Sequence, residues 1–358
     1  MGIEKLDSNF AEKKVTANGE LLRYQLPCQG FDLYGIRFDE KNGCFVRMNL
    51  DVAKGVSDKL CALSKHTSGG RVRFSTDSSY FGVEVTYDSF TRFSHMPLLG
   101  SCGMILLEEL ENGELRLIHS IQPSFRKETG YTSTATLRGE KMRNYILYLP
   151  LYNGINTLHI ELDAGATVTG GKKYRDELPI LYYGSSITQG GCASRPDNCY
   201  QAFLSKWNNI DYINLGFSGN GRGEQSVAEH IGKIPCSLFV MDYDYNAPDA
   251  EHLERTHFSF YETFRRLQAD TPILMISRPN FESNAEKSKD REAIIRKTYR
   301  RARALGDDKV YFLAGKTLFG KEDRINCTVD GTHPNDLGFY RMAKKIYQKM
   351  KQIDVKFQ

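Results

Sequence analysis

The period of the hydrophobic residues changes near residue 170 of this 358-residue chain. Before that point apolar and polar residues alternate, as in Val-Glu-Val-Thr-Tyr at 83–87, and a period of two is typical of strands with one buried face. After it, short apolar runs alternate with helical patterns. The segment 170–176, rich in glycine and then charged, separates the two patterns. The sequence therefore predicts two domains, at residues 1–172 and 173–358.

The first half has the pattern of an all-β domain. Residues 145–149 and 158–162 repeat the period of two. Asn112-Gly113 lies between two apolar runs, which predicts a hairpin with a type I′ turn. Residues 52–63 are the one short helix candidate of this half. We therefore expect a β-sandwich or jelly roll here.

The second half alternates strands with helices. Short apolar runs predict strands at residues 180–183, 212–215, 237–241, 273–276 and 310–313. Helical patterns lie at residues 200–207, 252–267, 291–305 and 335–350. This alternation implies an α/β domain, with a parallel sheet covered by helices on both faces.

Charge and hydropathy exclude several classes of partner. The net charge is only +4, and the basic residues are interspersed with acidic ones, whereas a nucleic-acid binder concentrates its basic residues in a patch. No apolar run approaches the roughly 18 residues of a membrane span. The first fourteen residues carry acids among the bases and no apolar core, so no secretory signal is visible. We expect a cytoplasmic protein without nucleic-acid or membrane partners, and the oligomeric state stays open.

The cysteine pattern argues against a metal site. The chain has eight cysteines. None forms a C-x-x-C pair, and no Cys/His cluster has the spacing of zinc ligands. We therefore expect reduced thiols, most of them packed as small apolar residues, and no metal cofactor.

Polar residues follow the predicted strands of the second half at the edge where ligands of open α/β sheets bind. Ser186 follows the first strand, Gly219 the second and Asn246 the third, and Asp330 and His333 precede the last helix. A serine hydroxyl needs a base beside it to attack at neutral pH. A histidine can be that base, and a carboxylate can orient it. The set therefore predicts acyl transfer at one edge of the sheet.

At these residues the sequence resembles the SGNH (GDSL-type) hydrolases. Gly-Ser-Ser-Ile-Thr at 184–188 is similar to their first block, G-D-S-I-T, and Asn-Leu-Gly-Phe-Ser-Gly at 214–219 to the second. Asn246 matches the asparagine of the third block, and Asp-Gly-Thr-His at 330–333 matches the D-x-x-H of the fifth. The four blocks occur in order between about residues 179 and 353.

The resemblance implies a flavodoxin-like three-layer fold and a role for each matching residue. Ser186 would be the nucleophile, His333 the general base and Asp330 the group that orients the histidine. The backbone N–H groups of Ser186 and Gly219 and the side-chain amide of Asn246 would form the oxyanion hole. No metal or organic cofactor is needed for this chemistry.

The sequence departs from the family pattern at two places. Ser185 stands where the family has Asp, and Asp244 and Ala247 replace the Gly and Asp of the third block. We interpret Asp244 as a solvated loop carboxylate, with a position facing the site as the alternative. Cys192 could line the site or simply pack, and Arg222 could contact substrate.

The first half carries a local match to a second family. Gly-Phe-Asp-Leu-Tyr at 30–34 is similar to the G-x-D-L-Y motif of the β-rich domain that precedes some bacterial SGNH hydrolases. Proteins with this pair of domains include carbohydrate esterases that remove acetyl groups from sugars. The β-rich domain could shape the active-site wall, bind polymer or mediate dimerisation.

The resemblance implies a serine esterase that forms an acyl-enzyme on Ser186. We expect a short acyl group, acetyl above all, because the sequence contains no long apolar lid segment. The alcohol would be a carbohydrate, either a small molecule or an oligosaccharide. The alternatives are a lipase or thioesterase of the same fold, or a non-catalytic carbohydrate-binding protein.

Overall fold

The computed structural model of the protein describes residues 12–16, 19–87, 89–124, 129–175 and 178–353. Asp176, at the end of the predicted boundary segment, lies outside the described residues. So do the first eleven residues, on which most of the expectation about a secretory signal rests.

The first half of the chain is built mainly from antiparallel strands. These strands are β1 (Glu12–Thr16), β2 (Gly19–Gln25), β3 (Asp32–Tyr34), β4 (Arg37–Asp39), β5 (Cys44–Val46), β6 (Arg71–Thr76), β7 (Tyr80–Tyr87), β8 (Met104–Glu109), β9 (Leu115–Ile121), β10 (Gly130–Thr136), β11 (Arg143–Tyr148), β12 (Ile155–Asp163) and β13 (Val168–Gly170). The helices that interrupt them are α1 (Leu50–Val56), α2 (Asp58–Ser64) and α3 (Leu98–Cys102).

Two antiparallel sheets enclose the core of this half. One has the strand order β1-β2-β12-β7-β10, and the other β13-β6-β11-β8-β9 with β3 also paired to β6. Val85 and Leu158 from the first sheet and Phe74 and Leu147 from the second belong to one buried cluster. This arrangement confirms the predicted all-β half, while its jelly-roll connectivity stays a prediction.

Two local predictions in this half need correction. The hairpin at Asn112-Gly113 forms between β8 and β9, but only Gly113 of the pair has a positive φ, 83°. The turn is therefore not type I′. The side chain of Asn112 instead accepts a hydrogen bond from Glu114 N–H, and Leu110 N–H bonds to the Glu114 carbonyl across a three-residue loop. That geometry suits a turn followed by a left-handed glycine.

The predicted helix at 52–63 is two helices. Ser57 is extended, with φ −170°, and its side chain accepts a hydrogen bond from Leu60 N–H. Serine competes for backbone donors in this way and therefore favours caps over helix interiors. Ser57 therefore ends α1, where its backbone N–H donates to the Ala53 carbonyl, and begins α2, which its hydroxyl caps.

The second half alternates parallel strands with helices, as predicted. Its strands are β14 (Ile180–Gly184), β15 (Tyr212–Gly216), β16 (Leu238–Asp242), β17 (Ile273–Ile276) and β18 (Val310–Leu313). Its helices are α4 (Ser186–Gln189), α5 (Tyr200–Asn208), α6 (Gln225–Ile231), α7 (Ala250–Leu267), α8 (Ala285–Ala304) and α9 (Asp336–Met350). The proposed division at residues 172 and 173 falls between β13 and β14.

The strand order β15-β14-β16-β17-β18 is that of a flavodoxin-like sheet. Both faces of β14 are buried: Ile180 and Tyr182 enter one core cluster, and Leu181 and Tyr183 enter the other. In register, Gly184 lies level with Gly216 of β15 and with Asp242 of β16. The loops after these three strands therefore start side by side at the point where the strand order reverses. This is where ligands of such sheets bind.

A buried arginine joins the two halves. Arg71 of β6 is fully buried, forms an ion pair with Asp211 and donates to the Tyr212 carbonyl. Its guanidinium lies 3.9 Å from the centroid of the Tyr212 ring. The antiparallel sheet thus contacts the start of β15 directly. Among the described helices, none combines the length and apolar character that a membrane crossing requires.

Candidate active site

Ser186 begins the short helix α4 directly after β14. The preceding residue, Ser185, accepts a hydrogen bond from Ile187 N–H through its side chain at 3.1 Å. It therefore caps the helix although it differs from the Asp of the family. Gly184 has no room for a side chain, because a Cβ there would lie 2.0 Å from Thr188 Oγ1. These constraints fix the turn that holds Ser186 at the edge of the sheet.

The structure brings together Ser186, His333 and Asp330, the three residues that the sequence predicts to carry out acyl transfer. Ser186 Oγ lies 2.9 Å from His333 Nε2, and His333 Nδ1 lies 2.7 Å from Asp330 Oδ2. The Nδ1–H group donates to the carboxylate, so the Nε2 lone pair faces the serine hydroxyl. This is the tautomer that a general base for Ser186 requires.

Asp330 is held by its own loop. Its Oδ1 accepts hydrogen bonds from Thr332 N–H at 2.9 Å and from His333 N–H at 2.8 Å. Partial burial opposes ionisation, but hydrogen bonds from the backbone and side chain of His333 and from Thr332 N–H lower the pKa of Asp330 to about 2. The carboxylate is therefore ionised at neutral pH, where it can stabilise a protonated His333.

The residues expected to form the oxyanion hole lie on the neighbouring loops. Gly219 has a φ of +70°, and a Cβ at this position would meet no atom within 4 Å, so it borders open space. Among the described residues, the N–H groups of Ser186 and Gly219 have no hydrogen-bond acceptor. Asn246 Nδ2 donates to the Phe217 carbonyl at 2.7 Å, which ties this amide to the loop that carries Gly219.

Arg47, from the first half of the chain, bonds to the base of the Gly219 loop. Its side chain donates at 2.7 Å to the Asn214 carbonyl and at 2.8 Å to the Gly216 carbonyl. Its other donors bond to the carbonyls of Leu63 and His66. Burial lowers the pKa of Arg47 to about 9, so the group is still a cation at neutral pH. These four acceptors are backbone carbonyls rather than carboxylates.

Gln189, the last residue of α4, links this helix to the Gly219 loop and to the first half of the chain. Its Oε1 accepts from Ser218 N–H at 3.0 Å, and its Nε2 lies 3.0 Å from His66 Nδ1. Burial lowers the pKa of His66 to about 3, so the ring is neutral and its Nδ1 accepts this bond. Tyr152 OH donates to the Ser186 carbonyl at 3.2 Å. The first half of the chain therefore contacts both α4 and the Gly219 loop.

Two carboxylates lie at the carboxyl end of β16, Asp242 as its last residue and Asp244 just after it, and neither is solvated. Asp244 is buried, pairs with Arg291 and accepts from Arg278 N–H at 2.9 Å. Its interpretation as a solvated loop carboxylate is wrong, because the helix α8 supplies its counter-ion. Asp242 Oδ2 accepts from Thr188 Oγ1 at 3.0 Å and from Tyr200 OH at 3.1 Å. Burial raises the pKa of Asp242 to about 7.

Cys192 lies near the histidine of the site. Its thiol, the imidazole of His95 and the imidazole of His333 have ligand atoms within 4.8 Å of one another. Burial raises the pKa of the Cys192 thiol to about 12. At neutral pH the thiol is therefore protonated and is not a rival to Ser186 as nucleophile. Arg222, the other open candidate, donates through Nε to the Gly219 carbonyl, and its contact with substrate stays a prediction.

Sequence reasoning missed the residues that the first half contributes, namely Arg47, His66, His95 and Tyr152. For Arg47 one signal was available, because it is a single arginine within the otherwise apolar run Cys-Phe-Val-Arg-Met at 44–48. A charge in such a run is rarely buried without partners. The other three belong to no motif.

Family models match both halves of the chain. Residues 177–351 match the model of the GDSL-like lipase/acylhydrolase family. Residues 24–168 match the GxDLY model, described as the N-terminus of Esterase_SGNH_hydro-type proteins. A search of the curated proteins gave no match.

Several solved structures are similar over nearly the whole chain. A protein described as a GDSL-like lipase from Bacteroides ovatus ATCC 8483 is 27% identical, with a TM-score of 0.85, over 94% of this chain and 99% of that one. The salicylyl-acyltransferase SsfX3 from a tetracycline biosynthetic pathway is 19% identical, with a TM-score of 0.77, over 92% and 97%. A family two carbohydrate esterase from Clostridium thermocellum, solved with cellohexaose, is 13% identical, with a TM-score of 0.61, over 90% and 98%.

We predict that Arg47→Met impairs turnover as well as stability. The change leaves buried carbonyls without a donor, at a cost of about 1–3 kcal/mol for each group. The Gly219 loop then loses its support, so kcat should fall about tenfold or more while KM changes little. Ester hydrolysis and urea unfolding measure the two effects, and Arg47→Lys should be intermediate.

The matched control is Arg37→Met, which removes an exposed arginine from the neighbouring strand β4. It should change neither quantity substantially. If Arg47→Met lowered stability but kept the wild-type kcat under conditions where it is folded, Arg47 would join the two halves without positioning the loop.

A second prediction concerns pH and Asp242. In the unfolded chain this carboxyl has a pKa of about 3.9, whereas in the folded protein burial raises the pKa to about 7. Between these values the folded state holds a proton that the unfolded state has lost, so rising pH destabilises the fold. The free energy of unfolding should therefore begin to fall near pH 4 and level off above about pH 7.

Asp242→Asn should remove this loss, because an amide keeps an acceptor for Thr188 and Tyr200 and does not ionise. The stability of the variant relative to wild type should therefore rise between pH 4.5 and 7 and then stay constant. Urea unfolding at several pH values tests this, with the exposed Asp308→Asn as control. Parallel curves for Asp242→Asn and wild type would contradict the raised pKa.

Proposed function

Because this chain belongs to the GDSL-like lipase/acylhydrolase family and is a carboxylic ester hydrolase, we propose that it removes short acyl groups, acetyl above all, from esters of carbohydrates. The observation that carries the proposal is the contact of 2.9 Å between Ser186 Oγ and His333 Nε2, together with the bond of His333 to Asp330. A serine so placed has a base within reach of its proton.

The reaction proceeds in two steps. Ser186 Oγ bonds to the ester carbonyl carbon while His333 Nε2 takes the hydroxyl proton, and the alcohol leaves with that proton. Water then attacks the acyl-enzyme, His333 takes one of its protons, and the acid leaves as the proton returns to Ser186. Asp330 remains ionised throughout and orients the imidazole.

In each step the carbonyl oxygen becomes negatively charged. The N–H groups of Ser186 and Gly219 are proposed to donate to it, since neither has an acceptor among the described residues. The amide of Asn246, tied to the same loop through Phe217, is the third proposed donor. Donors fixed before the reaction stabilise such an oxyanion without reorganisation.

The choice of a carbohydrate ester rests on analogy with similar structures. Two of them are described as a carbohydrate esterase and an acetyl xylan esterase, the latter from Butyrivibrio proteoclasticus. At 13% and 12% identity they support the fold and suggest the substrate class. A cytoplasmic location and the absence of nucleic-acid and membrane partners stay predictions of the sequence.

We predict that the protein hydrolyses p-nitrophenyl acetate faster than the butyrate, and the butyrate faster than the octanoate. Ser186→Ala should lower kcat/KM at least about a thousandfold, because the nucleophile is lost. Ser259→Ala, which removes a half-buried hydroxyl of α7 that bonds to carbonyls of its own helix, is the matched control and should keep full activity. Acetylated oligosaccharides would be compared next.

Other outcomes separate the alternatives. Rates that rise toward octanoate would favour a lipase. A serine-directed phosphonate that leaves Ser186 unmodified in the wild-type protein, together with inactivity on every ester, would favour a carbohydrate-binding protein.

We also predict that Asn246→Ala lowers kcat about a hundredfold to a thousandfold, equivalent to about 2.7–4 kcal/mol of transition-state stabilisation, while KM changes little. The matched control is Asn220→Ala, which removes a neighbouring amide that bonds to the Ser218 carbonyl. Equal effects of the two variants would assign Asn246 a purely structural role in the loop.

A further inference from the structure

Three soft ligand groups from three separate segments meet beside the proposed nucleophile. His95 lies in the loop between β7 and α3, Cys192 in the loop between α4 and α5, and His333 just before α9. The Cys192 sulfur and one ring nitrogen of each histidine lie within 4.8 Å of one another. The two imidazole centroids are 5.5 Å apart. No local sequence spacing announces this cluster.

The donor set selects the kind of ion. Two imidazole nitrogens and one thiolate suit Zn²⁺ and related soft cations, and they suit Mg²⁺ or Ca²⁺ poorly. Zinc bonds of about 2.0–2.1 Å to nitrogen and about 2.3 Å to sulfur in a tetrahedron place the ligand atoms roughly 3.3–3.6 Å apart. The three ligand atoms would have to move about 1 Å closer to one another to reach this geometry.

His95 is free to make that movement. Its ring touches Phe93 and His333, but among the described residues its nitrogens have no hydrogen-bond partner. Its side chain is only half-buried. Cys192 has a φ of +71°, and its thiol makes a long contact of 3.5 Å with the His95 carbonyl, which already joins the two segments.

His333 is already oriented as a metal ligand. Its Nδ1–H donates to Asp330, which leaves the lone pair of Nε2, now 2.9 Å from Ser186 Oγ, as the donor to a cation that displaces the serine hydroxyl. A carboxylate behind a histidine is the usual arrangement around protein-bound zinc, where it fixes the ring and strengthens the ligand. The same hydrogen bond that prepares His333 as a base for Ser186 therefore prepares it to bind a cation.

We propose that His95, Cys192 and His333 form a Zn²⁺ site whose occupation inhibits the enzyme. The cation bonds to a ring nitrogen of His95, to Nε2 of His333 and to the sulfur of Cys192, which releases its thiol proton to solvent. Water or Ser186 Oγ completes the tetrahedron. Since the lone pair of Nε2 is then used, His333 can no longer accept the proton of Ser186. The inhibition rests on the proposed esterase function, whereas the binding does not.

The test follows binding and inhibition separately. Co²⁺, a spectroscopic substitute for Zn²⁺, is titrated into the metal-free full-length protein. A thiolate-to-cobalt charge-transfer band should appear in wild type and His119→Gln, and should be lost in Cys192→Ser. His119, half-buried on β9 beside Ser133, is the matched control for histidine substitution. The spectrum needs no catalytic activity, so it stands even if the esterase proposal fails.

Inhibition is then measured with ZnCl₂ and p-nitrophenyl acetate, each rate being divided by the zinc-free rate of the same variant. His95→Ala and Cys192→Ser should each raise the concentration for half inhibition at least about tenfold, and EDTA should restore activity. If the charge-transfer band persisted in Cys192→Ser, or if both variants were inhibited like wild type, the proposed site would be wrong. If Zn²⁺ bound through His333 alone, both variants would be inhibited like wild type.

Discussion

The arrangement of the candidate active site depends on one buried cation. Arg47 is only 5% exposed, and burying a charge is costly unless its donors are bonded. Here the guanidinium is satisfied by carbonyls from two places, Leu63 and His66 in its own half and Asn214 and Gly216 in the sheet that carries the site. If the halves separated, the carbonyls of Asn214 and Gly216 would lose this donor, and the guanidinium would lose two of its four acceptors.

The parallel sheet supplies the other constraint. Because β14, β15 and β16 are parallel and in register, the residues that follow them must emerge at one edge. The loops that carry Ser186, Gly219 and Asn246 therefore start as neighbours whatever their sequences. Asp330 and His333 follow the edge strand β18, which is not adjacent to β14. The contact of His333 with Ser186 depends on the long segment before α9 and cannot be deduced from strand order alone.

The sequence sufficed for the features that depend on local pattern. The parallel strands, the antiparallel half and the meeting of Ser186 with His333 follow from periodicity and from short motifs. The errors arose where side chains choose among local alternatives. Ser57 caps a helix instead of continuing it, and Asn112 bonds to a backbone N–H instead of adopting a positive φ.

The contacts between the halves left no such pattern. Arg47 and Asn214 are 167 residues apart, and a hydrogen bond across that distance imposes no spacing on either segment. Asp244 was misread for the same reason, since its counter-ion Arg291 comes from a helix 47 residues later. Pairs of this kind become visible only when the fold brings their segments together.

These contacts bear on the role of the β-rich half. Of the three roles open from sequence, forming part of the active site explains the most observations. Tyr152 and His66 bond to α4, and His95 lies against His333. A module that only bound polymer or a second subunit would need an outward surface, and would have no reason to bury an arginine at the base of the Gly219 loop. The surroundings of the candidate site therefore include the β-rich half, since its residues contact both the base of the Gly219 loop and His333.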